Sequence, residues 1–226
     1  MIQDRIRREF NRWADSGQGR GIEKHHWETT RQLIDLMNID EYDNVVDLGC
    51  GVGSATRVLA QKASRGFVLG VDLSDRMIVQ ARKAYRNPHN ALFLVADAAG
   101  IPCPDQMFDA LLSVESIYFY SGLDLAFHEV NRILKPGGKA FFLVSYYKEN
   151  PHGHDWSKNI DIPVHLLGAD DYISVLQRSG FKTAGHRRII DSTPLPEDWT
   201  ATNWFPTRQD HIKFRAEGAL LLEAEK

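Results

Sequence analysis

The nonapeptide VVDLGCGVG, residues 45–53, constrains the fold of this chain more than any other stretch. Apolar residues and one carboxylate, Asp47, lead into three alternating glycines, Gly49, Gly51 and Gly53, and a helical pattern follows at once. A buried strand that ends in glycines and turns straight into a helix marks the carboxyl edge of a parallel sheet, where α/β folds bind ligands. Without Cβ atoms a ligand can reach the backbone, and the helix that follows offers free N–H groups. The competing reading is a tight turn that binds nothing.

The rest of the chain extends the pattern. Short apolar runs at 44–49, 66–74, 91–98 and 108–116 alternate with helical segments such as SATRVLAQKA and DRMIVQARKAY, where Met77, Ala81 and Ala84 share a face. Ala126, Phe127, Val130 and Leu134 form an apolar stripe on a further helix, and KPGG at 135–138 reads as a turn into a fifth strand, KAFFLVSYY. Strand–helix alternation of this kind implies a parallel sheet with right-handed crossovers, covered on both faces. YISVLQRSGF reads as a last helix, and KTAGHRRIID and AEGALLLEAEK as two last strands. Two stretches, 148–165 and 192–215, carry no clean period and read as irregular insertions.

Spacing narrows the ligand. A dinucleotide fold uses G-x-G-x-x-G to seat a pyrophosphate on the helix N-terminus. Here the pattern is G-x-G-x-G with Ser54 at the next position, and GxxxxGK[ST] is absent. Asp72 ends the second strand, where a carboxylate accepts hydrogen bonds from two vicinal ribose hydroxyls and disfavours a 2′-phosphate. Helix N-capping is the plainer role at that place, but Ser74 and Asp75 already serve it. Asp97 ends the third strand, where it reads either as an adenine-edge partner or as a turn residue. Three acidic strand ends at one sheet edge favour a nucleoside-bearing ligand without a polyphosphate.

The ordered set VVDLGCGVG, GVDLS, ADAAGIPCPDQMFDALLS and RILKPGGKAFF resembles the signature motifs of class I S-adenosylmethionine-dependent methyltransferases, nearest the ubiquinone and menaquinone biosynthesis group. The resemblance spans about residues 40–145. It implies a Rossmann-like seven-stranded α/β sheet of order 3-2-1-4-5-7-6, the last strand antiparallel, with helices on both faces. It also implies that Asp47, Gly49, Cys50 and Gly51 wrap the methionine part of the cofactor. Asp72 would hold the ribose, Asp97 with Ala98 would read adenine, Val114 and Glu115 would line the methionyl side, and Leu73 and Met77 would also bind the cofactor.

Totals bound the remaining classes. With 226 residues, 43% hydrophobic, 25% charged and a net charge of −3, the chain suits one domain, 1–226, and lacks the basic stripe of a nucleic-acid binder. Two cysteines, Cys50 and Cys103, form no CxxC site, and no run approaches a membrane span. A cytoplasmic protein without a metal, acting on a small molecule, is the expectation, with a homodimer left open.

The acceptor side is less determined. Residues 1–40 read as a helical lid, with Gly17, Gly19 and Gly21 as a flexible loop before a helix opened by His25, His26 and Trp27. His26 or His25 is a candidate general base, against a role in capping or packing. Tyr118 is a candidate to face the methyl group. His152, His154 and Asp155 read as a polar loop rather than a metal site. The expected reaction is methyl transfer to an oxygen, nitrogen or carbon nucleophile. Its rivals are a catalytically silent cofactor-binding or scaffold protein and an NAD-dependent oxidoreductase.

Overall fold

In the computed structural model, which describes residues 2–85, 89–202 and 204–226, seven strands form one sheet in the order β3-β2-β1-β4-β5-β7-β6. The strands are β1 (Asn44–Leu48), β2 (Phe67–Asp72), β3 (Ala91–Val95), β4 (Phe108–Val114), β5 (Leu134–Val144), β6 (Thr183–Ile189) and β7 (Ala219–Glu225). β3, β2, β1, β4 and β5 pair in parallel, and β7 runs antiparallel to both of its neighbours. The order and the antiparallel strand agree with the expectation.

The strands alternate between two buried faces, which is why their sequences are apolar almost throughout. Val46 and Leu48 of β1, Leu111 of β4 and Phe142 of β5 pack on one side with helix α5 (Leu123–Ile133), through Phe127 and Val130. Val45, Leu112 and Phe141 point to the other side, against Leu33 and Ile34 of α2 (Gln18–Leu36) and Leu59 of α3 (Ser54–Lys62). Helices α1 (Ile2–Ser16), α4 (Asp75–Ala84) and α6 (Ala169–Arg178) complete the layers.

Three local expectations are corrected. The stretch from Gln18 is helical, so His25 and His26 sit inside α2 and do not open it. Only Gly17, at φ +79, needs the left-handed region; Gly19 lies in the helix so close to Met77 that a Cβ would meet its methyl carbon at 2.6 Å. KPGG is not a separate turn, because α5 passes directly into β5 and these residues form a bulge. The register there jumps from Phe108–Leu134 to Ala110–Lys139. Residues 192–215 also hold most of a helix, α7 (Arg208–Glu217), capped by Thr207. Its only buried residue is His211, so no apolar stripe marks it in the sequence. Asn203 lies outside the described residues.

The glycines separate by cause. Gly53 combines φ +84 with a site where a Cβ would meet Phe93 at 2.8 Å, whereas a Cβ on Gly21 meets nothing within 4 Å. Gly53→Ala is therefore expected to destabilise by about 1–3 kcal/mol. Gly21→Ala is expected to stabilise by roughly 0.5–1 kcal/mol, as helix propensity requires. Urea titration of the two variants checks both signs.

Candidate active site

The carboxyl edge of β1 and β2 is stitched by backbone. The N–H groups of Gly49 and Cys50 both donate to the Val71 carbonyl, at 2.8 and 2.9 Å. Asp72, at the end of β2, accepts from Gly51 N (2.9 Å) through one oxygen and from Ser74 N (2.7 Å) through the other. Ser74 caps α4 by accepting from Met77 N. One carboxylate thus fixes both the glycine loop and the next helix. Asp47 is buried below, accepting from Thr56 Oγ1 at 2.6 Å. Asp97 accepts from Ala99 N at 2.8 Å, which holds the turn after β3.

Clearance at the loop differs from glycine to glycine. A Cβ on Gly49 would collide with Ser116 and one on Gly53 with Phe93, so these two make room for protein. Gly51, at φ +54, is the one that faces a carboxylate across the cavity, with Glu23 Oε1 3.3 Å from its would-be Cβ.

Glu23 was not anticipated from the sequence. It reaches down from α2 and accepts from Val52 N (3.2 Å) and from Ser54 Oγ at the start of α3. A carboxylate is favoured there because the first turn of a helix leaves N–H groups free. No local pattern announces a partner about thirty residues upstream.

On the opposite wall β4 ends at Val114, and Glu115 adopts φ +51, a left-handed backbone that costs a non-glycine residue of order 1 kcal/mol or more. Its Oε2 accepts from the Tyr118 hydroxyl at 2.9 Å. Its Oε1 is buried without a hydrogen-bond donor, 3.5 Å from Nδ1 of His26. Burial holds His26 down to about 4 and raises Glu115 to about 7. At neutral pH the pair is therefore a neutral imidazole beside a partly ionised carboxyl, not a fixed ion pair. Burial, followed by the Glu115 charge, also pushes the Tyr118 phenol well above its usual value. Asp47 is raised to about 7 and Asp72 to about 6, in both cases mainly by burial.

One cavity of about 200 Å³ unites these groups. Asp47, Gly49, Cys50, Gly51, Asp72, Leu73, Met77, Asp97, Ala98, Val114, Glu115, His25, His26 and Tyr118 all border it. Trp156, Trp204, Phe205 and Phe214, from the two stretches expected to be irregular and from α7, border it as well. Aromatic pairs build that wall: Tyr118–Tyr146 at 5.5 Å between centroids, Tyr146–Trp156 at 4.9 Å and Phe205–His211 stacked at 4.2 Å. His25 stacks on Phe205 at 5.9 Å and is held down to about 4, first by burial. His154 is engaged by the Tyr147 carbonyl and Asp155 by Lys158, so the 151–156 segment gathers no metal ligands among the described residues. No helix among the described residues is long and apolar enough to cross a membrane.

Residues 46–142 match the family model described as a methyltransferase domain. The chain of Haloferax volcanii solved in complex with the Trm112 methyltransferase activator is 32% identical, with a TM-score of 0.87, covering 96% of this chain and 97% of that one. The chain belongs to the class I S-adenosylmethionine-dependent methyltransferases. Among curated members, a fatty-acid O-methyltransferase of Mycolicibacterium smegmatis is 33% identical over 56% of this chain and 46% of its own length. A demethylmenaquinone methyltransferase of Tropheryma whipplei is 30% identical over 59% of this chain and 56% of its own. A phosphoethanolamine N-methyltransferase of Zea mays is 34% identical over 55% of this chain and 24% of its own. The chain thus spans between about a quarter and just over half of these curated relatives.

The family's cofactor fits the cavity. A carboxylate at the end of β2, Asp72, and the apolar side chains of Leu73, Met77 and Ala98 border the same space, a donor set of the kind that a nucleoside needs. The cluster of carboxylates suits the positive sulfonium.

The buried carboxyl at Glu115 makes stability depend on pH. Its folded value lies above the ordinary 4.5, so the stability it contributes is complete below about 4.5 and is lost as pH rises through about 7. Glu115→Gln is expected to raise the melting temperature of the ligand-free protein at pH 8 by roughly 2–4 °C for each kcal/mol of relieved desolvation, and hardly at pH 5. Differential scanning fluorimetry at the two pH values checks this.

Proposed function

We propose that this methyltransferase moves a methyl group from S-adenosylmethionine to an oxygen, nitrogen or carbon nucleophile of a small molecule. The observation that carries this reading is the single cavity in which the Asp72 edge meets the buried Glu115–His26 pair. The glycine loop with Asp47 and Cys50 would hold the methionine end, Asp72 and Leu73 the ribose, and Asp97 with Ala98 the adenine. S-adenosylmethionine, when bound, supplies the methyl as an electrophile whose C–S electron pair passes to sulfur while the acceptor's electron pair forms the new bond. The protein's own part is alignment and exclusion of water, a contribution of up to ~7–11 kcal/mol in well-ordered sites.

The acceptor's proton goes to Glu115 Oε1, the buried oxygen without a donor. This moves the proton-accepting role from His26, the sequence candidate, to its neighbour. Burial has brought that carboxyl close to neutrality, where a base is most effective. Tyr118 acts as a positioning group by donating to Oε2, and His26 stands beside the free Oε1 without donating to it. Helices α1 and α2 form the lid over the cofactor, and the segments around Trp156 and Trp204 enclose the acceptor.

The Haloferax volcanii relative stands in a complex with an activator protein. A comparable partner would add to this sheet along β3, whose outer edge is unpaired among the described residues and exposes Leu92 (62%) and Val95 (41%). A reducing cytoplasm suits the two free cysteines.

Calorimetric titration tests the donor assignment. S-adenosylhomocysteine is expected to bind and NAD not to bind. Asp72→Asn should weaken S-adenosylhomocysteine at least tenfold while leaving the circular dichroism spectrum unchanged. Unaltered affinity in that variant contradicts the ribose assignment.

A further inference from the structure

The charge inventory of the cavity goes beyond the donor. Five carboxylates border it, Glu23, Asp47, Asp72, Asp97 and Glu115, and among the described residues that line it none is Lys or Arg. Cations stand only at its margins: Arg57 donates to Ser54 Oγ, which borders the cavity, and to the Val52 carbonyl. Lys24 and Arg215 line an adjoining polar recess behind His25 and His211, and Arg215 is paired there with Asp191 at 2.5 Å. A phosphate or carboxylate carried into the aromatic part of the cavity would lose its water and find no cation, a cost that excludes it.

The same walls say what does fit. Tyr118, Phe119, Tyr146 and Trp156 form a continuous aromatic surface, with centroid separations of 4.5 Å for Tyr118–Phe119 and 6.0 Å for Phe119–Trp156, both pairs tilted. Trp204 lies nearly parallel to Trp156, tilted by 26°. Such a surface takes up flat, apolar groups. In its midst Glu115 Oε1 lacks a donor although its side chain is only 7% exposed.

Building on the methyltransferase reading above, we propose that the acceptor is an uncharged, flat, largely apolar molecule that presents one O–H or N–H to Glu115, and that the site rejects acceptors bearing phosphate or carboxylate groups. The X–H bond breaks with its proton passing to Glu115 Oε1, the X electron pair forms the X–CH3 bond, and the C–S bond breaks to leave a neutral thioether.

Matched naphthalene probes test this on the full chain loaded with S-adenosylhomocysteine, with binding read by quenching of tryptophan fluorescence at the Trp156–Trp204 wall. 2-Naphthol and 2-naphthylamine are expected to bind. 6-Hydroxy-2-naphthoate and 2-naphthyl phosphate are expected to bind at least tenfold more weakly. Glu115→Gln, which removes a negative charge at constant shape, should narrow that gap at least threefold. With S-adenosylmethionine in place of the product, mass spectrometry of the naphthol and naphthylamine mixtures tells an O–H acceptor from an N–H acceptor. Anionic probes binding as tightly as the neutral ones, or neutral probes failing to bind the loaded protein, overturn the proposal. Failure of S-adenosylhomocysteine itself to bind would instead overturn the methyltransferase reading on which it rests.

Discussion

The carboxylate of Asp72 accepts from Gly51 on one side and from Ser74 on the other, and so couples the glycine loop to the start of α4. Both ends of the candidate cofactor site hang from this one side chain. It also borders the cavity, and a carboxylate keeps lone pairs beyond those two bonds. Around it the chain has gathered further buried carboxyls, Asp47 and Glu115, each of which burial holds near neutrality. Left without a cation these groups are a cost, and a positively charged sulfonium ligand offsets it. Destabilising groups of this kind cluster at sites that bind or react.

The lid takes part in the same arrangement. Glu23 closes the glycine loop from above by accepting from Val52 N in the loop and from Ser54 Oγ at the head of α3. His26, from the next turn of the same helix, meets Glu115 across the cavity. One helix therefore touches both the cofactor loop and the reacting wall. Movement of α2 would alter both at once.

The sheet was legible in the sequence because strands buried on both faces must be apolar and short, and helices between them must carry a stripe. Val45, Val46 and Leu48, and Leu220 to Leu222, obey that rule without help from distant residues. The acidic end of β2 at Asp72 was legible for a similar reason, whereas Asp97, read as the end of the third strand, lies two residues beyond β3 and holds the turn there. What escaped were pairings over long separations. Nothing near Glu23 betrays that it caps α3, and nothing near His26 tells that Glu115 lies opposite. Helix α7 escaped because it buries a single residue, and the glycines at 17, 19 and 21 misled because two of them are simply helical. The glycine loop was read as clearance for a ligand, yet Gly49 and Gly53 make room for Ser116 and Phe93.

If the buried carboxyls stand ready for a cation, binding must change their protonation. At pH 6.5 Asp47 and Glu115, both raised to about 7, are largely protonated in the ligand-free protein, and a sulfonium beside them favours the ionised forms. Isothermal titration with S-adenosylmethionine at pH 6.5, in two buffers of different ionisation enthalpy, counts the protons exchanged. Net proton release on binding is the result expected here. Proton uptake, or binding with no exchange, would contradict it.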